Sequence, residues 1–552
     1  MSLQIQPIPE IPEETRRVAR AAFAKGNHWM SLRDELGSIY TDEDFADLFP
    51  SSGQPAAAPW RLALILIMQY AENLSDEQAE VALRSRIDWK YALSLPLDDA
   101  GLDASVFSEF RTRLVAGGAE ARVLDKLLLL CRERKLLKER GRQRTDSTHI
   151  IAAVRQLSRV ENVGETMRQA LNILATVEPE WLRGQAQPEW VERYKDRMDQ
   201  YRLPKSETER LSLAQTIGRD GEQLLRAIDD PAAPVWLRQI PAVITLRQVW
   251  IQQYFPGAQG PVWRTAKEHG FSAAPVGIHS PYDPQARYSE KRARSWVGYK
   301  VHLTETCDQE LPRLITQVET TIAPVPDSEA LPVIQADLAQ RQLLPAEQLA
   351  DAGYVTARRL VSSSQQQIDL CGPPRSDSAW QARAGTGFAA ADFLFDFQQQ
   401  QARCPAGEFS SSWENTTDRY GKEQVKIKFA VTTCRPCQQR EQCTKIDRRI
   451  LTIQPKAETR ALEEARQRAQ TKQYAMLYAQ RAGVEGAISQ TVRRSGLRQA
   501  RYLGLAKTHL QHLLTATAIN IIRLVNWLTD VPLAKTRQSA FVKLMKPVPL
   551  TC

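Results

Sequence analysis

One segment constrains the fold more than any other. Thr145-Asp-Ser-Thr-His-Ile-Ile-Ala-Ala-Val154 is a β-branched stretch that follows a region of helical period, and it reads as a strand. A strand needs partners, so the chain cannot be a helical bundle alone. Residues 298–305 and 313–321 supply two more strands, separated by the turn-like Cys307-Asp-Gln309. Residues 328–341 read as a helix, 348–351 and 367–371 as short strands, and 458–492 and 507–528 as closing helices. That order predicts an α/β layered domain. A mainly helical block at 157–289 interrupts it once, and a Gln-, Gly- and Cys-rich block at 376–455, with strands at 425–431 and 449–453, interrupts it again.

Before the first strand the pattern is helical. Residues 1–53 form a Pro-rich leader with helices at 13–25 and 41–49. Residues 54–138 hold an apolar helix at 60–70, a helix capped by Ser75 and a third beginning at 105–114. Compact bundles of short helices include helix-turn-helix DNA readers, but a structural bundle has the same pattern. Residues 531–552 form a basic tail.

Charge narrows the partners. The chain carries 73 Lys+Arg and 64 Asp+Glu, net +9, and residues 481–552 hold the whole excess. A second basic run, Arg132 to Arg144, leads directly into the first strand. Basic stripes on a balanced chain suggest a polyanion such as nucleic acid, although any single run also reads as a solvated face. No apolar stretch reaches the length of a membrane span and the N-terminus lacks the pattern of a signal peptide, so the expectation is a cytoplasmic protein. No Gly-rich phosphate loop with Lys-Ser/Thr is present to support an ATP-driven step.

Three acids occupy telling places. Asp146 lies inside the first strand, where a carboxylate needs a metal, a base or solvent. Asp351 ends a strand, where ligands of open α/β sheets bind. Glu485 stands in Tyr478-x2-Arg481-x3-Glu485, three residues spaced to share one helix face. Each acid alone also reads as a surface or capping residue. Together they can converge on a pair of hard cations, as in phosphodiester displacement. Cys404-Pro-Ala-Gly407 with Cys434-x2-Cys437-x5-Cys443 suits structural, tetrahedral Zn²⁺, the alternative being four unrelated thiols. His149 points to the strand face opposite Asp146, and His302, His509 and His512 read as structural or phosphate-facing. Asp327 reads as a helix cap.

These residues carry a resemblance. Asp146-Ser-Thr, Ala350-Asp-Ala-Gly-Tyr354 and Tyr478-x2-Arg481-x3-Glu485 resemble the DDE transposases of bacterial insertion sequences. Tyr282-Asp-Pro-Gln-Ala-Arg287, Trp296-Val-Gly-Tyr-Lys300-Val-His302 and Arg498-Gln-Ala-Arg501-Tyr502-x-Gly504-x2-Lys507-Thr-His509, with Asn520, are similar to the branch called insertion-sequence family eleven-eighty-two. The likeness runs in patches from about residue 60 to 528. It implies an RNase H-like catalytic core assembled from 139–156, 290–375 and 456–530, interrupted by the two insertions and preceded by the all-α region, with 54–138 as a DNA-binding domain.

The resemblance implies two Mg²⁺ ions (or Mn²⁺) on Asp146, Asp351 and Glu485. It also implies DNA contacts from Tyr478 and Arg481, and from Lys300, Arg493, Arg494, Arg498, Arg501 and Lys507. The expected activity is cleavage of element ends and joining of the 3′-hydroxyl to target DNA. The expected partners are the terminal inverted repeats and target duplex, bound by a homodimer, in a bacterial cytoplasm at the nucleoid. A nuclease without strand transfer, or a catalytically silent DNA-binding derivative, remain the alternatives. In related transposases the helix signature continues to a lysine; here Val492 stands at that place, followed by Arg493 and Arg494.

Overall fold

The computed structural model describes residues 2–271, 276–291, 293–377, 379–532 and 539–545. The chain forms two compact units. Residues 1–133, 312–314 and 514–552 make one, and residues 134–311 and 315–513 make the other.

The first unit is built on Pro59–Glu72, a helix buried on almost every face, with Pro59 at its first position and left-handed Asn73 ending it. Ser75 caps Asp76–Ser85 in a reciprocal box with Gln78, which satisfies two otherwise orphaned backbone donors. The segment read as a leader is packed into this unit. The Thr15 hydroxyl donates to the Leu95 carbonyl at 2.9 Å, Trp29 Nε1 to Glu72 at 2.7 Å and the Tyr40 hydroxyl to the Val123 carbonyl at 2.8 Å. The tail expected at 531–552 lies mostly outside the described residues; within it a short helix, Ala540–Leu544, is described.

The second unit is organised by a six-stranded mixed sheet: β1 (Arg140–Ile151), β2 (Arg287–Lys291), β3 (Arg294–Thr306), β4 (Ile315–Ile322), β5 (Pro345–Ala350) and β6 (Asp369–Cys371). β3 pairs antiparallel with β1, β2 and β4, whereas β5 runs parallel to both β1 and β6. β1 begins earlier than its β-branched core suggests, because the arginines preceding that core find carboxylates on neighbouring strands. Arg142 Nε donates to Glu347 at 2.5 Å, and Arg144, 4% exposed, pairs with Glu305 on β3 at 2.7 Å. The end of the basic run is therefore part of the sheet, and Arg142 and Arg144 are held by it rather than presented to a polyanion.

A buried polar strip fixes the register of β1 against its neighbours. Thr145 Oγ1 bonds Thr304 Oγ1 at 2.9 Å and accepts from Gln348 Nε2 at 2.9 Å, while Gln335 Nε2 donates to Gln348 Oε1 at 2.9 Å. A one-residue slip of β1 would break both bonds of Thr145, so the strip locks the residues adjoining Asp146 and Asp351.

The helical insertion has its own apolar core, including Met167, Trp190, Ile217, Leu246 and Trp250. It also contains a hairpin, Tyr254–Gly257 with Gly260–Trp263, that the helical period conceals. The Cys-rich block holds a three-stranded antiparallel sheet, Ser412–Thr417, Glu423–Lys428 and Ile450–Ile453, over Ile427, Phe429 and Phe393. The single helix expected at 458–492 is instead Lys456–Ala469, Lys472–Ala479, a 3-10 turn Gln480–Ala482, and Gly483–Ser495. Among the described residues no helix is long and apolar enough to cross a membrane.

Candidate active site

The parallel pairing of β1 and β5 aligns Thr145 with Ala350, so Asp146 and Asp351 follow at neighbouring strand positions. Asp146 is 8% exposed; its Oδ1 accepts from the Ser147 backbone N–H at 2.8 Å and its Oδ2 from Arg481 Nη2 at 2.6 Å. Burial pushes the Asp146 carboxyl up to about 6 against the pull of Arg481, and the charge of Asp351 adds to the rise. Asp351 Oδ1 accepts from the Gly353 N–H at 2.8 Å, which fixes the carboxylate over its own turn.

Arg481 joins the third acid to this pair, donating through Nη1 to Glu485 Oε1 at 3.0 Å. The three residues of the Tyr478-x2-Arg481-x3-Glu485 pattern do not share a continuous helix. Tyr478 ends one helix, Arg481 lies in the 3-10 turn, and Glu485 opens the next. The break is pinned from β1: Arg142 Nη1 donates to Gln480 Oε1 at 2.9 Å and Arg144 Nη1 to the Gln480 carbonyl at 2.7 Å. A Cβ on Gly483 would stand 1.9 Å from Arg144 Nη1, so only glycine admits that guanidinium. Glu485 keeps 64% of its side chain exposed. Tyr478 stacks on Tyr474 with ring centroids 5.7 Å apart.

The remaining sites expected from sequence are less uniform. Arg493 bonds back to Ser489 Oγ at 2.6 Å and is exposed, as are Arg494 and Lys507, while Arg501 is half-buried. Arg498 Nε reaches Thr148 Oγ1 at 3.1 Å. Lys300, assigned from the resemblance to DNA, donates to Asp327 Oδ1 at 2.9 Å and to the Val325 carbonyl. Asp327 occupies the first turn of Asp327–Gln340, whose cap position is Pro326, and is 8% exposed. His149 does face away from Asp146, since Asp146 pairs across to Leu303 and His149 to Lys300. His302 is buried, sharing hydrogen bonds with the Tyr354 hydroxyl at 2.6 Å and Thr321 Oγ1 at 3.3 Å.

Lys291 escaped the sequence reading. It lies 3.8 Å from Asp327, and its charge also reaches Asp146. A local charge pattern gives its sign but not these partners, which come from other elements.

Cys404, Cys434, Cys437 and Cys443 line one cavity of about 40 Å³ together with Phe388, Phe429 and Arg449. Burial raises the Cys443 thiol, Arg449 opposes the rise, and the other three sulfurs contribute to it. Among the described residues no group of three or more His, Cys, Asp or Glu side chains stands arranged to hold a metal ion. By donor type alone, carboxylate oxygens are the ligands Mg²⁺ takes and thiolates those Zn²⁺ takes.

Two family models match the chain. Residues 403–525 match the transposase DDE domain, a span that includes the four cysteines, Tyr478, Arg481 and Glu485. Residues 19–113 match the transposase domain (DUF772), which lies in the first unit. No curated protein matches the sequence. The two matches support a DDE-type transposase, a class of DNA-acting enzyme that generally uses divalent metals such as Mg²⁺.

Proposed function

We propose that the protein cleaves the ends of an insertion element and joins the freed 3′-hydroxyl to target DNA by phosphodiester transfer. The observation that carries this reading is the placing of Asp146 on β1 and of Asp351 directly after the parallel strand β5, with Arg481 linking Asp146 to Glu485. Four antiparallel strands, β1 to β4, continued by the parallel pair β5 and β6, support an RNase H-like core interrupted by the helical and Cys-rich insertions.

Asp146, Asp351 and Glu485 would hold two Mg²⁺ or Mn²⁺ ions, which supply nucleophile activation and charge neutralisation at the scissile phosphate. The chain's own residues do the rest. The polar strip around Thr145 holds the two aspartates in register. The Arg481 fork can exchange a carboxylate for phosphate oxygens, with Tyr478 beside it. Arg493, Arg494, Arg498, Arg501 and Lys507 supply sequence-independent backbone contacts, and the helices within 54–138 recognise the terminal inverted repeats. Cys404, Cys434, Cys437 and Cys443, which line one cavity, would hold a structural Zn²⁺. A homodimer joins two element ends, in a bacterial cytoplasm at the nucleoid.

The test uses pre-cleaved duplex ends carrying the inverted repeats that flank the gene, a target plasmid and Mg²⁺. Joined products are expected from the wild type and not from Asp146→Asn or Glu485→Gln. Hydrolysis without joining would leave a metal-dependent nuclease. Full activity in both variants would remove the catalytic assignment.

A further inference from the structure

The placement of Lys300 and His302 carries a second conclusion, which rests on the reading of Asp351 as a metal ligand. We infer that these two residues of β3 are positioning residues, holding Gly353 and Tyr354 at the far end of the turn that bears Asp351 and so setting its carboxylate relative to Asp146. They stand two apart on one strand and therefore point to one face, the face that Ser147 and His149 occupy on β1.

Lys300 fixes the Asp327 carboxylate, which packs against Gly353. Its ammonium donates to Asp327 Oδ1 at 2.9 Å. The other oxygen, Asp327 Oδ2, lies 3.0 Å from the point where a Cβ on Gly353 would stand, and Asp351 Oδ1 lies 2.9 Å from that same point. The two carboxylates thus converge on one glycine, and any side chain there would displace one of them. His302 holds the next residue. Its Nδ1 shares a 2.6 Å hydrogen bond with the hydroxyl of Tyr354, which is fully buried. The far end of the Asp351 turn is thereby held from β3 twice, directly at Tyr354 and through the Asp327 carboxylate at Gly353. Carboxylates around an ion depend on such outer partners for their orientation.

A phosphate contact is the competing role for Lys300. Only 12% of its side chain is exposed, and its donors already serve Asp327 and Val325.

The experiment uses the full chain with Gly353→Ala, Tyr354→Phe, Lys300→Met and, as control, Asp351→Asn. Mn²⁺ binding to the DNA-free protein is titrated by electron paramagnetic resonance. Affinity for a random-sequence duplex is measured in chelator as a function of salt, and thermal melting reports the fold. The clamp predicts that the first three variants weaken Mn²⁺ binding roughly ten-fold or more, with unchanged duplex affinity and salt slope in every variant that melts like wild type. Lys300→Met touches neither Gly353 nor Asp351, so it decides the matter if Tyr354→Phe fails to fold. Wild-type Mn²⁺ binding in Lys300→Met, with loss in Asp351→Asn, overturns the clamp and leaves the metal assignment standing. Unchanged binding in Asp351→Asn overturns the metal assignment itself. Weakened duplex affinity with a shallower salt slope in Lys300→Met, at wild-type Mn²⁺ binding, makes Lys300 a phosphate contact and also overturns the clamp.

Discussion

Replacing Arg144 with methionine tests how the sheet holds its acidic residues. Arg144 is 4% exposed and Glu305 only 1%. The guanidinium donates to Glu305 Oε1 from Nε and Nη2, each at 2.7 Å, and from Nη1 to the Gln480 carbonyl at 2.7 Å. Removing one partner of a buried ion pair costs about 3–5 kcal/mol, because the other charge keeps its desolvation penalty. The lost bond to Gln480 adds about 1 kcal/mol. A chain of two compact units has no single unfolding free energy, so the quantity to measure is the local opening free energy of β1 by native-state hydrogen exchange. Arg144→Met is expected to lower it by about 4–6 kcal/mol, or to the global limit if that is smaller. Protection in Gly483–Ser495 should fall with it, since Arg144 fills the space over Gly483. Arg144→Met/Glu305→Leu removes both charges and should recover most of the loss. A drop below about 1 kcal/mol in the single variant, or a double variant as weak as the single, would refute the reasoning.

Acid should loosen the second unit through its histidines. Burial holds His302 and His509 near 4 and His512 near 3, below the ordinary value of about 6.5. Their neutral forms therefore stabilise the fold fully above about pH 6.5, and that contribution is lost as pH falls toward 4. Asp146 and Glu319, raised to about 6 and about 7, act in the opposite sense by taking up protons more readily when folded. Melting of His512→Gln should depend less steeply on pH between 6.5 and 4 than that of wild type; an equal slope counts against this account. In the Cys-rich block, Cys437→Ser should lower zinc content measured by mass spectrometry, and unchanged content removes Cys437 from the site. Ser75→Ala should cost about 1 kcal/mol by removing its half of the capping box, read as faster exchange in Asp76–Ser85; unaltered exchange there would show the cap to be dispensable.

What could be read from the sequence was mostly local. Asp146 stands out because a carboxylate within a β-branched run is unusual, and Asp351 because a strand-like segment ends in Asp-Ala-Gly-Tyr. Both positions follow from strand alternation and turn chemistry, and the pairing of Thr145 with Ala350 brings them together. Ser75 was legible for the same reason: cap, box partner and the start of the helix lie within four consecutive residues. The start of β1 was not. The arginines before Thr145 resemble a solvated or DNA-facing run until Glu305 and Glu347 are seen across the sheet, far away in sequence.

The same limit explains the broken helix at the candidate site. Residues 458–492 contain no proline, and the glycines at 483 and 486 only lower helix propensity, so local pattern favours one continuous helix. The 3-10 turn at Gln480–Ala482 answers to Arg142 and Arg144, more than 330 residues earlier in the chain. Its effect is to place Arg481 between Asp146 and Glu485, a role the helical spacing alone did not suggest. Lys300 illustrates the converse. Its sequence neighbourhood supplies the charge, but charge sign does not name a counter-ion, and within the chain that partner is Asp327, 27 residues away. Residues whose function depends on neighbours in sequence were therefore readable, whereas those whose partners arrive from another element became readable only once the sheet was assembled.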